Sequence, residues 1–350
     1  MNRLGCVGLV VVVAGLTAGC AASGSTGGGI NQARLKHRAL DCLKRAVRYP
    51  DNPVVRSSAI EALAKTGLLE ARPWVRTALL DDEPVVRFAG CVAIGELVDH
   101  QSVSGVRERL GDDDASVRAA ALFALHRLGD SSRSGKLASY LLYHEEASVR
   151  RNAAFVLGLS GEVGAVKLLA RAMRDGDSGV RHLVLEAMAR LGNPEAKQEL
   201  VFMTNAGVGQ DEVFAIRALA DTGDRAYLEN FRYKLQSGMH VETQLAAARG
   251  LGLCGSAEGY ELALHALRGM TALRDDPNDR PAEQALRIRL LAASALSAIQ
   301  RADALPALAE LLEESPDPRV QVAAAQAILE IIEASRRQVF DGAEWRGKKR

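Results

Sequence analysis

The chain has 350 residues, with 44 basic and 43 acidic side chains and only 4% aromatics. So even a balance lacks the basic excess that displaces counterions from nucleic acid. Five cysteines form no CxxC pair, which leaves no sequence sign of a disulfide framework or of a thiolate metal site.

In chain order, Met1-Asn2-Arg3 supplies one positive charge and Leu4 to Ala18 is almost wholly apolar. A run of about fifteen residues is short for a membrane span and suits a signal peptide. It ends in Leu16-Thr17-Ala18-Gly19-Cys20, which resembles the lipobox of bacterial lipoproteins. The resemblance implies cleavage after residue 19 and a diacylglycerol on the Cys20 thiol. Thr17 departs from it, standing where the family usually has Leu. The alternatives are an uncleaved hydrophobic anchor or an ordinary signal peptide. Residues 20–32, rich in Gly and Ser, read as a lipidated Cys followed by a flexible tether. Several acyl chains hold a protein on a membrane without a spanning helix. Without residues 1–19, basic and acidic residues balance at 43 each.

Arg34 to Arg48 reads as a lone basic helix that closes the N-terminal end of a stack. Beyond it a cassette recurs, seen best in Asp112 to Gly129, DDDASVRAAALFALHRLG. Aligned on Val117-Arg118, clear copies start at Val55, Val86, Val149 and Val180, and weaker ones at Asp211, Thr243, Ile288 and Val320. The spacing is 31 or 32 residues, except for 45 before Ile288. Small residues four and seven places after the anchor (Ala59 and Ala62, Ala121 and Ala124) and an aliphatic at the eighth form the buried stripe of a helix. Gly67, Gly129 and Gly161 supply left-handed stops. A second amphipathic helix and an acidic turn lead to the next copy. A fixed period of this size is a solenoid.

Two helices in about 31 residues resemble the HEAT repeat in the short form of phycobilisome lyases, with its D-x-D-x-x-V-R-x-x-A-x-x-A-L-G pattern. The resemblance covers residues 33–335 and implies an all-α, right-handed superhelix of about nine short repeats. It also implies that Arg56, Arg87, Arg118, Arg150 and Arg181 form a structural ladder, each tying adjacent turns through a carboxylate. Residues 336–350 read as a basic tail.

After Thr204 the arginine ladder is interrupted and aromatics gather: Phe202, Phe214, Tyr227, Phe231 and Tyr233. Tyr227, Arg232 and Tyr233 are the expected centre of a partner site; the alternative is that the aromatics fill a gap between irregular repeats. The second helices, taken as the concave face, add Arg76, Arg107, Lys167 and Arg171 to the partner surface. The long spacing holds a turn-rich insertion within residues 268–285, of the kind that maps to one face of a repeat protein. Its Asp275, Asp276 and Asp279 lack EF-hand spacing. Gly250-Leu-Gly-Leu-Cys-Gly255 matches the dinucleotide fingerprint with no strand before it, and the seven histidines show no ligand spacing. The expected function is a scaffold without catalysis, cofactor or metal. It is exported to the bacterial cell envelope, lipid-anchored to the inner or outer membrane, and binds protein partners. The rival reading is an enzyme or cofactor-handling protein related to phycobilin lyases, and the resemblance leaves both open.

Overall fold

The computed structural model describes residues 31–207 and 209–347, with side chains described as far as residue 337. Cys20, the tether and the signal-like segment lie outside the described residues. The described chain is helical, without strands. It begins with α1 (Gln32–Ala46) and continues as eight pairs: α2 (Pro53–Thr66) with α3 (Arg72–Thr77), α4 (Pro84–Leu97) with α5 (Val103–Glu108), α6 (Ala115–Arg127) with α7 (Lys136–Tyr143), and α8 (Ala147–Leu159) with α9 (Ala165–Ala172). Next come α10 (Ser178–Arg190) with α11 (Pro194–Met203), α12 (Gly209–Asp221) with α13 (Leu228–Ser237), α14 (Val241–Leu253) with α15 (Tyr260–Leu267), and α16 (Pro281–Ile299) with α17 (Leu305–Glu314). The last helix, α18 (Pro318–Gly347), runs on through most of the segment expected to be a tail. Local chemistry sets these boundaries. Asn52, Asp114 and Asp177 cap α2, α6 and α10 by accepting from first-turn N–H groups, and Pro53, Pro84 and Pro281 sit at the first helical position, where no donor is lost.

The anchor-bearing helices, α2 through α18 by even number, pack side by side, whereas consecutive second helices scarcely touch. Small residues permit this. A Cβ on Gly158 of α8 would lie 2.8 Å from the Cα of Ala187 on α10, and one on Gly252 of α14 would lie 2.7 Å from the backbone of Ala298 and Ile299 on α16. Each repeat is therefore a wedge, narrow at its anchor helix. The even-numbered helices are the inner layer and the second helices the outer one. This reverses the expected concave face, since the side with the smaller residues can approach more closely.

Nine wedges bring the ends together. The final helix, α18, packs on α16 and α17 and also on α1 and α2. Val322, Ala325, Ile328, Leu329, Ile331 and Ile332 are all buried, so apolar surface surrounds α18, as befits a helix enclosed on every side. The stripe of α1, with Leu35, Ala39, Leu40, Leu43 and Ala46, is buried too. Lys36 Nζ meets Glu333 Oε1 at 2.6 Å, and Arg38 pairs with Glu313. Far from capping an open stack, α1 supplies the second helix that the ninth repeat lacks, and residues 31–347 close into a ring. On α18 Gln326 donates to Glu330, which also accepts from Ser297 of α16.

On the rim where the inner helices begin, each anchor arginine holds two turns. Nη1 of Arg56, Arg87, Arg118, Arg150 and Arg181 donates to two carbonyls of the turn before its own helix. Nε and Nη2 of Arg56, Arg87 and Arg150 grip the next turn's Asp81, Asp112 and Asp175 in bidentate pairs of 2.7–2.9 Å. Two rungs depart from this. Arg118 Nε donates instead to Tyr140 Oη at 3.1 Å, and Arg181 has no carboxylate pair among the described residues. Burial is the largest single influence on Asp112 and opposes its charge, but the Arg87 hydrogen bond, the Asp114 N–H and the charges of Arg87 and Arg109 together outweigh it and hold the carboxyl below its usual range.

Two outcomes are expected. Leu43→Asp on α1 raises amide exchange in α18, nearly three hundred residues away; unchanged protection of α18 would refute closure. Asp112, 2% exposed, leaves Arg87 an unpaired partner when replaced by Asn, at a cost of about 3–5 kcal/mol. Because its folded-state pKa is depressed, the pair's stability is present above the unfolded value of ~3.9 and is lost as pH falls through the lower folded value. Asp112→Asn therefore flattens the acid limb of the melting-temperature profile, and a parallel profile would show that Asp112 is not a source of that limb.

Candidate functional site

Within the ring α2, α4, α8, α10, α12 and α14 turn the positions six and ten residues after the anchor toward the lumen, whereas on α6 the first of these, Phe123, is buried. These one-turn-apart positions lie between the buried columns, on one face of each helix. A cavity of about 460 Å³ there takes Glu61 and Lys65 from α2, Phe88, Val92 and Glu96 from α4, Phe155 and Leu159 from α8, Glu186 and Arg190 from α10, Arg217 and Asp221 from α12, and Arg249 and Leu253 from α14. The Phe88 and Phe155 rings stand 6.4 Å apart across the line of α6.

The charges are arranged by side. On α10, α12 and α14, Arg190 meets Glu186 at 2.8 Å and Asp221 at 3.5 Å, and Arg249 meets Asp221 at 2.6 Å. Nη1 of Arg249 is buried without a partner, and Arg217 forms no ion pair among the described residues. On α2 and α4, neither Glu61 nor Glu96 has an ion-pair partner among the described residues. Both are open to lumen water, yet the surrounding protein desolvates them and pushes each carboxyl above its usual range, with Glu96 adding repulsion at Glu61. Lys65 pulls both the other way, as do Arg190 and Arg127 at Glu96. The lumen thus has an acidic wall, where Glu61 and Glu96 stand without an ion pair beside Lys65, and a basic wall, where Arg217 stands without one among the paired groups.

The residues expected to bind a partner lie elsewhere. Arg76, Arg107 and Arg232 belong to a second inter-repeat ladder, on the rim where the inner helices end. Arg76 grips Asp99 at 2.6 and 2.8 Å, Arg107 reaches Asp130 at 3.4 Å, and Arg232 bonds Glu258 at 2.9 and 3.1 Å and Glu229 as well. Lys197 and Asp224 make a fourth rung at 2.9 Å. Lys167 and Arg171 are exposed, and Arg171 donates to Tyr143 Oη at 3.1 Å. Tyr227 is half-buried against the core, whereas Tyr233 is 60% exposed. Tyr227 stands in the turn just before α13 and Tyr233 within α13 itself, so one ring packs on the core while the other faces solvent. The neighbouring aromatics divide similarly. Phe231 fills the space over Gly250, where a Cβ would come within 2.9 Å of the ring, and Phe214 stacks on His182 at 4.8 Å. In the fingerprint-like run, Gly250 admits Phe231, Gly252 admits α16 and Gly255 ends α14 at positive φ.

The insertion builds a second cavity, of about 620 Å³, on the ladder rim between the starts of α12, α14 and α16. Arg274 and Arg287 each reach both Glu242 and Asp279, at 2.5–3.4 Å. The Gln284 side chain bonds the Arg274 N–H and carbonyl and the Asp279 carbonyl. A pinned loop thus replaces the missing rungs, and Asp279 is committed to arginines. The three remaining thiols, Cys42, Cys91 and Cys254, are buried and unbonded, and desolvation pushes Cys91 up to about 12.

The column lining the lumen was present in the sequence. Reading six and ten places past each anchor gives Glu-Lys, Val-Glu, Phe-Arg, Phe-Leu, Glu-Arg, Arg-Asp and Arg-Leu in the first seven repeats. Charge at a position flanked by alanine columns is the signal, and it goes unnoticed when the second helices are taken as the concave side.

A family model for HEAT repeats matches residues 41–126 and 135–213, and one for armadillo/β-catenin-like repeats matches residues 292–332. No curated protein matches. Among solved structures, the complex of CpcE and CpcF of phycocyanin lyase from Nostoc sp. PCC7120 is similar, with 20% identity and a TM-score of 0.42 over 73% of this chain and 94% of that one. Human deoxyhypusine hydroxylase in complex with glycerol shows 17% identity and a TM-score of 0.36 over 86% and 98%. An engineered protein shows 16% and 0.27 over 84% and 98%. The recurring wedge, its anchor arginines and the matched model agree: residues 41–126 and 135–213 are HEAT repeats.

Proposed function

We propose that this protein is a scaffold of the bacterial cell envelope, lipid-anchored through Cys20, which binds protein partners and performs no catalysis. A HEAT solenoid supports protein binding in general terms. The observation that carries the reading further is an uneven distribution of exposed apolar side chains. The rim where the inner helices begin presents Leu80 at 77%, Tyr143 at 71%, Met239 at 90% and Met270 at 66% exposure, with Phe202 at 63% beside them. The other rim, where α1 starts, offers Leu69 and Val163. Large apolar groups set among charged turns are the composition of an interaction surface. This surface stands in place of the concave face that the repeat pattern suggests.

Photo-crosslinking in native membranes tests the reading. A crosslinker at Tyr143 or Met239 gives discrete protein adducts, and one at Leu69 or Val163 does not; equal adducts from both rims would overturn the assignment. With the crosslinker kept at Tyr143 or Met239, replacing Leu80 and Phe202 by Ser weakens the adducts while shifting stability by about 0.5 kcal/mol or less per site. Anchoring has its own test. Cys20→Ala abolishes incorporation of labelled fatty acid and leaves the precursor uncleaved, and labelling that survives the substitution would exclude a lipid on Cys20.

A further inference from the structure

The lumen offers a different kind of recognition from the rim. Its carboxylates and guanidiniums are not merely interspersed. Glu61 and Glu96, on adjacent helices, carry negative charge that no ion pair among the described residues meets, and Arg217 carries positive charge in the same state on the other side. Arg249 adds a buried donor with no acceptor. Flexible side chains on an open surface would fold toward each other and pair. Here each set is fixed to a separate helix of a closed ring, with Phe88 and Phe155 placed among them. An unmet charge in a walled cavity costs stability. A cavity with convergent polar groups and aromatic walls is the usual form of a small-molecule site.

We propose that the lumen binds a zwitterion with an apolar body, a free amino acid or short peptide. Its ammonium group lies against Glu61 and Glu96, its carboxylate against Arg217 and Arg249, and its side chain against Phe88 and Phe155. The size is suitable, since about 460 Å³ falls in the lower part of the range of ligand pockets, roughly 300–1,000 Å³. The polarity is specific. An anion alone satisfies only the basic wall and a cation alone only the acidic one, whereas a zwitterion relieves both unmet charges without bringing net charge into the ring. This inference does not depend on the rim's being a docking surface.

The test uses the purified full chain and the dipeptide alanyl-phenylalanine, titrated by calorimetry beside its N-acetyl and C-terminal amide forms. The free dipeptide binds, and blocking either end weakens it by about tenfold or more, as the loss of a charge-assisted hydrogen bond requires. Glu61→Gln with Glu96→Gln weakens the free dipeptide and leaves the N-acetyl form unchanged; Arg217→Gln weakens the free dipeptide and leaves the amide unchanged. The glutamate variant melts at or above the parent temperature at neutral pH. A carboxyl whose folded pKa is raised is destabilising when ionised, so its removal relieves the fold. No binding by the dipeptide, equal binding of all three forms, or equally strong binding of inorganic phosphate would each overturn the proposal. So would a glutamate variant that melts lower, because the carboxylates would then be structural.

Discussion

Alanine and glycine at the faces where inner helices meet set the distance between repeats, and the other features depend on that distance. With Cβ atoms absent or minimal at Gly95, Gly158 and Gly252, neighbouring backbones approach to within a side chain's radius. The second helices carry Leu and aromatic residues and stay apart. Curvature is the consequence of that inequality, and accumulated over nine repeats it returns the chain to its start. The arginine rungs then act at the rims. A bidentate guanidinium fixes both distance and angle between turns, so the rungs hold the wedges at a constant pitch rather than supplying the main cohesion, which comes from apolar burial.

Much of this was legible in the residues themselves. The period, the two-helix unit, the caps at Asn52 and Asp114, the stops at Gly67 and Gly129 and the buried columns are all local signals, and local signals survive in a one-dimensional string. The direction of curvature was legible in principle from the alanine columns, but periodicity alone treats the two layers as equivalent. Closure left a subtler trace. The array begins with a lone second helix and ends with a lone first helix, two halves of one repeat that look like caps until they are added together. The partners of the second ladder were not legible, because pairing Arg76 with Asp99 or Arg232 with Glu258 depends on how tightly successive repeats turn. Nor was the separation of Tyr227 from Tyr233, since the start of α13 falls between them.

The distribution of charge separates two kinds of surface. Along the rims nearly every arginine has its carboxylate or carbonyl, consistent with a role in holding the ring. In the lumen some charges are paired, but Glu61, Glu96 and Arg217 stay without an ion-pair partner among the described residues, an arrangement that stability alone would not favour. Where a fold keeps a locally unfavourable arrangement, a functional demand is the physical reason to look for. The insertion before α16 shows the contrast. Its Arg274, Arg287, Glu242 and Asp279 neutralise one another completely, so that loop behaves as a brace.

The union of α1 with α18 also decides when the molecule can become whole. Repeat arrays ordinarily grow by adding neighbours, and every contact spans only a few dozen positions. Here α1 must wait for α18. Until α18 exists, the stripe of Leu35, Leu40 and Leu43 lacks its principal cover, and until α1 docks α18 has one flank bare. Sequence-distant contacts of this sort form late, because the loop they close is long. The ring is therefore sealed in a single final step, after which it has no terminal repeat from which fraying can start.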